Sequence, residues 1–275
     1  MTEKKHTELE KIIEKEGLSE QEIITLIKSA RRKPTNKERL YISGRHIKYG
    51  YFSDPHIGHE KFIEPFYMKM VRVFKKEKPE FIVVPGDHLE GMSNRPGHIY
   101  ELTHIGFEQQ INYAADLYNL IPMKIYGIDG NHDKWFFKPQ NLGVIVGKEL
   151  EKRVKHYKHL GQDEGDLEIA PGITIKLFHA NDGTAYADSY KIQKLIESFT
   201  GGEKPNIIHS GHYHKHLYLF RRNIHGFESG TLCDQSKFMR GKKIQAHVGF
   251  GIVDVYFNRW GVDRIEHKFF PYYKR

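Results

Sequence analysis

The chain has 275 residues, 39% of them apolar and 13% aromatic, enough for one large domain with a sizeable core and too many for a disordered polymer. Its net charge of +8 and pI of about 9.2 favour polyanionic partners such as nucleic acid. No apolar run reaches the roughly 18 residues of a membrane span, the charged start MTEKKHTELE is no secretory signal, and the single Cys233 closes no internal disulfide, so a reducing, cytoplasmic setting is expected.

Residues 1–44 read as a helical, partly basic segment and residues 45–275 as the main domain. Leu9, Ile12 and Ile13 share one face of a first helix that Gly17 can end. Ser19 and Glu22 form a capping box ahead of a second apolar stripe, Ile23, Ile24, Leu26 and Ile27. No third, recognition-type helix follows, which weakens a DNA-reading helix-turn-helix. From Lys28 to Arg45 seven basic residues stand against Glu38 alone. A charge run is usually a solvated face; its functional reading makes Arg31, Arg32 and Lys33 contacts for nucleic acid.

From residue 47 the pattern changes. IKYGYFSD, EFIVVPGD, MKIYGIDG, ITIKLFHA and NIIHSGH are short β-rich runs, each ending in a polar cluster. Helix-like stretches, Phe62 to Lys76 and Leu102 to Leu120, separate the first three, and HVGFGIVDVYF adds a late strand. Strand–helix alternation predicts an α/β domain, whose ligands bind at the carboxyl ends of the strands.

Those ends carry Asp54 and His56; Asp87; Asn131 and His132; His179; His212 and His214. Carboxylates, an amide and imidazoles without thiolate suit Mn, Fe, Co, Ni or Zn, and are too rich in nitrogen for a Ca or Mg cage. The D-x-H and H-x-H spacings let one short segment supply two ligands. Gly86, Gly130 and Gly211 directly precede Asp87, Asn131 and His212, where a sharp backbone turn is expected. A lone histidine is more often structural than a ligand, but five such strand ends in succession favour a metal site.

The order D-x-H, G-D, G-N-H-D, H, G-H-x-H resembles the calcineurin-like metallophosphoesterases over residues 50–216. The resemblance implies a two-sheet sandwich flanked by helices, with two divalent metals, manganese first among them, at the strand ends. It implies that Asp54, His56 and His214 hold one metal, that Asn131, His179 and His212 hold the other, and that Asp87 bridges them. His132 would protonate the leaving oxygen or stabilise the phosphate charge, and Asp133 would orient His132. Two cations about 3.5–4 Å apart neutralise a phosphodiester and make hydroxide available at neutral pH, so no covalent nucleophile is needed. His59, His88 and His216 are expected to support the site or face solvent.

Substrate choice falls to what lies between the motifs. Insertions at residues 90–110 and 181–193 flank the expected metals, and Arg95, His98, Tyr186 and Tyr190 are candidates to contact phosphate or stack on a base, unless they merely pack the loops. The sequence lacks the arginine that protein phosphatases of the family carry after G-D. The basic balance and the tail FNRWGVDRIEHKFFPYYKR favour a nuclease or nucleic-acid phosphodiesterase. A small-nucleotide phosphatase or phosphodiesterase is the alternative, and a nucleic-acid-binding module with a merely structural domain is the second.

Overall fold

The computed structural model describes residues 37–273 apart from 41, 43 and 139–142, together with Gly17 and Ser19. The chain divides into Met1–Thr35 and Asn36–Arg275. The two expected N-terminal helices, and Arg31, Arg32 and Lys33 with them, lie outside the described residues.

Two six-stranded mixed sheets form the second unit. One sheet runs β12 (Gly261–Pro271), β11 (Gly249–Asn258), β2 (His46–Tyr51), β3 (Phe81–Val84), β4 (Lys124–Asp129), β5 (Tyr157–Gln162). The other runs β1 (Lys37–Arg39), β6 (Glu164–Ala170), β7 (Ile173–His179), β8 (Ile207–Gly211), β10 (Ile224–Ser229), β9 (His216–Arg221). Pairing is parallel from β2 through β5 and among β7, β8 and β10. The α/β sandwich expected from the sequence is thus present.

The strand sequences explain the layering. In β3 the residues Phe81 and Val83 face the second sheet, while Ile82 and Val84 face helices, so FIVV is buried on both sides. Between the sheets lie Tyr49, Tyr51, Tyr126 and Ile128 against Leu167, Ile175, Leu177 and Phe227. Helices α1 (Glu64–Glu77), α2 (Phe107–Asn119) and α3 (Val146–Arg153) cover the first sheet. In α1 the residues Phe66, Tyr67, Met70, Val71 and Phe74 recur at helical spacing and are buried, Pro65 fits the first turn, and Lys78 caps the end at φ 52°. Helix α4 (Tyr190–Ser198) lays Ile192 and Ile196 on Ile208 and Ile224 of the second sheet.

Two readings of basic segments change. Lys37–Arg39, placed by the sequence in the helical segment, form β1 alongside β6, and Lys37 and Arg39 pair with Glu168 at 3.4 and 3.0 Å. The basic, aromatic tail is largely edge strand β12. Its Phe269 stacks on His216 and its Phe270 on Phe250, and Tyr272 beyond it packs on Phe66. These three rings are partly buried against the core, while Trp260 and Tyr273 of the same tail stay exposed.

Candidate metal centre

The carboxyl ends of β2, β3 and β4 in one sheet and of β7 and β8 in the other meet at one floor. Among the described residues, metal-competent atoms converge there as Asp54, His56 and His214, and as Asp87, His179 and His212. Asn131 Oδ1 lies 3.0 Å from His179 Nε2 and 2.8 Å from His212 Nδ1. Asp87 Oδ2 lies 3.2 Å from His179 Nε2 and 3.8 Å from His56 Nε2, between the two groups. All seven ligands expected from the sequence are therefore brought together.

The backbone is bent to do this. Asp54, His56, Asp87, His212 and His214 all take left-handed φ values, between 48° and 85°. That region is sparsely used by residues other than glycine, with Asn, Asp and His the best tolerated. Of the glycines expected at sharp turns, Gly86 has positive φ, at 101°. Gly130 and Gly211 serve close approach instead: a Cβ on Gly130 would lie 2.7 Å from His179 Cε1, and one on Gly211 would lie 2.8 Å from His179 Nδ1. The ligands themselves carry the turn, held by His56 N–H to Asp87 O at 3.1 Å and His212 N–H to Asp54 Oδ1 at 2.8 Å.

Hydrogen bonds fix the ring tautomers. His56 Nδ1 donates to Glu90 Oε2 at 2.8 Å, His179 Nδ1 to Pro85 O at 2.7 Å, and His212 Nε2 to Asp182 O at 2.7 Å. Each opposite nitrogen then turns a lone pair inward, toward carboxylate and amide oxygens that are themselves acceptors. His56 Nε2 and His214 Nε2 face each other at 2.9 Å. Lone pairs opposed in this way fit divalent cations. In the protein alone a proton can take that place: burial pushes His179 down, but Asp87 and Asp54 outweigh it and hold its pKa at about 9. Burial raises Asp87, yet His179, His132 and His56 hold it well below the usual carboxylate range.

His132 borders this floor, its ring 4.5 Å from that of His56. The acceptor expected at Asp133 is elsewhere. Asp133 Oδ2 takes the N–H groups of His88 and Gly130 and Oδ1 that of Leu89, at 2.9–3.1 Å, which shapes the loop and leaves His132 alone. His132 Nδ1 instead donates to Glu90 O at 2.9 Å, with Glu90 Oε2 at 3.4 Å. Burial lowers the His132 pKa, but Glu90 and Asp87 outweigh it and raise it to about 10.

Glu90 is the functional residue that sequence reasoning missed. It is buried, and its carboxylate also accepts from His98 Nε2 at 2.7 Å. Its signal was the acid in GDHLEG, three positions after Asp87. His88 is fully buried between Tyr118 and Tyr157 hydroxyls, at 2.6 and 2.8 Å. His59 is buried 3.5 Å from Glu101.

Above the floor opens a cleft of about 440 Å³. Arg95 lines it, with Nη1 and Nη2 on Glu101 at 3.2 and 2.5 Å and its guanidinium over Phe238. Tyr186 is wholly exposed, Tyr190 opens α4, and neither lines the cleft. The other walls include Trp135, Asp182, Gly183, Thr184, Phe238 and Ile244.

The chain is 25% identical over 235 residues to the DNA polymerase II small subunit of Methanothermobacter thermautotrophicus, covering 69% of this chain and 48% of the relative. The subunit of the same name from Pyrococcus furiosus is 23% identical over 253 residues, covering 76% of this chain and 40% of the relative. The chain thus spans about half the length, or less, of these relatives. A solved structure of "a Novel Archaeal Phosphodiesterase" aligns over 82% of this chain and 100% of that one, at 14% identity and a TM-score of 0.49. The model of the calcineurin-like phosphoesterase family matches residues 47–249, and the chain belongs to that family.

Proposed function

We propose that the chain is a metal-dependent phosphodiesterase that hydrolyses nucleic acid. The observation that carries the chemistry is the pair of ligand groups sharing Asp87, with His132 beside them at the foot of one cleft. Asp54, His56 and His214 would hold one divalent cation, Asn131, His179 and His212 the other, and manganese suits the donors. When bound, such a pair neutralises phosphate charge and activates the attacking water. The chain does the rest. His132, at the edge of the ligand groups with Nδ1 donating to Glu90 O, leaves its Nε2 to carry a proton to the leaving oxygen. Glu90 fixes the rings of His132 and His56 together.

The basic balance and the names of the relatives support nucleic acid as the substrate. Those names also favour a second reading, in which the chain serves as a subunit beside a DNA polymerase.

The test uses metal-stripped protein reloaded with Mn²⁺, a labelled single-stranded oligonucleotide and bis-p-nitrophenyl phosphate, across a salt series. The expected result is metal-dependent cleavage of both, with oligonucleotide cleavage falling steeply as salt rises. His132→Ala should lower kcat by about 10²–10⁴-fold with bound metal retained. Turnover of the small ester alone would favour small nucleotides, and no turnover of either would leave only the subunit reading.

A further inference from the structure

The segment Ser236–Ile244 forms one wall of the cleft mouth, and its sequence, SKFMRGKKI, was not singled out by any motif. It is held in one shape. Ser236 Oγ caps α5 (Lys237–Gly241) by accepting from Met239 N–H at 3.2 Å. Gln235 Nε2 donates to Ile244 O at 2.7 Å, Ile244 N–H donates to Met239 O at 2.9 Å, and Met239 is buried beneath.

Arg95, the cation that lines the cleft, is neutralised by Glu101, and Lys134, Lys191 and Lys215, each next in sequence or paired to a lining residue or ligand, are neutralised by Asp163, Asp182 and Asp188. Ser236, Phe238, Met239 and Ile244 line the cleft, while Lys237, Arg240, Lys242 and Lys243, interspersed with them in the segment, are exposed beside it, and none of the four pairs with an acid among the described residues. Among these cations Phe238 is 46% exposed and lines the cleft, its ring under the Arg95 guanidinium at 5.4 Å. Trp135 lines the same cleft, tilted against the His132 ring at 4.0 Å.

Unpaired cations flanking an exposed ring are the elements of a single-strand track, with charge for the phosphates and a face for a base. The cleft volume of about 440 Å³ lies in the range of small-ligand pockets, and bases stacked inside a duplex cannot lie on Phe238. We infer that Ser236–Ile244 is a binding wall for single-stranded nucleic acid, with Phe238 stacking an unpaired base and Lys237, Arg240, Lys242 and Lys243 following the backbone. This inference rests on the reading that the cleft handles nucleic acid. It adds the form of the substrate: an unpaired strand or end, not an intact duplex.

The experiment reads binding by anisotropy, in a His132→Ala background that suppresses cleavage, using the full chain and a short fluorescein-labelled single strand. Phe238→Ala should raise Kd about tenfold for a normal strand and leave an abasic strand unaffected. Changing Lys237, Arg240, Lys242 and Lys243 together to Gln should reduce the salt slope of log Kd by up to about 3, at about 0.7 per phosphate contact. All four are surface residues, so this second variant tests the wall without disturbing the core. Unchanged Kd and slope in both variants overturn the inference, and so does a preference for duplex over single strand. Wild-type turnover of bis-p-nitrophenyl phosphate is read separately. A chain that hydrolyses this ester while the variants bind normally loses the wall and keeps the chemistry. One that binds as expected and hydrolyses nothing keeps the wall.

Discussion

Glu90 shows how much one side chain can organise. Burial raises its pKa, but His132, His56 and His98 outweigh that and hold it well below the usual carboxylate range. It therefore stays anionic and faces both a candidate metal ligand, His56, and the proposed proton donor, His132. Glu90→Gln should cost about 10–100-fold in metal affinity or turnover, because a neutral amide cannot orient these rings as an anion does. Calorimetric Mn²⁺ titration together with diester turnover checks this, and wild-type values in both would remove the role. The candidate metal ligands were legible in the sequence because donor chemistry restricts each of those positions to a few residue types. Glu90 was not, because it is one of 35 acidic residues and only the folded loop sets it beneath three imidazoles. Asp133 misled for the matching reason: adjacency to His132 in sequence said nothing of its three backbone donors.

Among the elements, β8 and β2 show how the sheets are tied. His209 of β8 is fully buried and bonds Tyr49 of β2 at 2.8 Å and Ser229 of β10 at 3.1 Å. Its ring stacks on Phe227, and Tyr51, His216 and His267 are the other titratable groups around it. Burial, then the nearby His267 and His216 rings, push its pKa well below the ordinary histidine value. The unfolded chain takes up a proton near pH 6.5 that the folded chain refuses. Stability from His209 is thus complete above that pH and is lost as pH falls toward the folded value. Urea unfolding from pH 7.5 down to 5 should show the decline, and His209→Gln should make it shallower. An equal slope in the variant would assign the decline to other groups, among them His216 and His267, both lowered to about 4. The strands that reading by period found were the buried ones, β2, β3, β4, β7, β8 and β11. It missed β1, β5, β6, β9, β10 and β12: β1, β5, β9 and β12 are edge strands, and the interior β6 and β10 interrupt their apolar residues with Glu, Asp, His and Gly, so period alone does not mark them.

Across the whole unit, the site straddles the two sheets. Asp54, His56, Asp87 and Asn131 follow strands of one sheet, while His179, His212 and His214 belong to or follow strands of the other. Each ligand group draws on both. A cation held by either group is therefore a rivet between sheets as well as a reagent, and its binding energy counts toward keeping them together. Saturating metal at about 100 times its Kd should add about 2.7 kcal/mol to the unfolding free energy. Chelation should accordingly lower the melting temperature of the whole unit as one transition, and a melt indifferent to chelator would mean that the sheets hold together without it. Hydrolysis and mechanical integrity would then share one inventory of metal, so a cell short of the ion would lose the protein along with its activity.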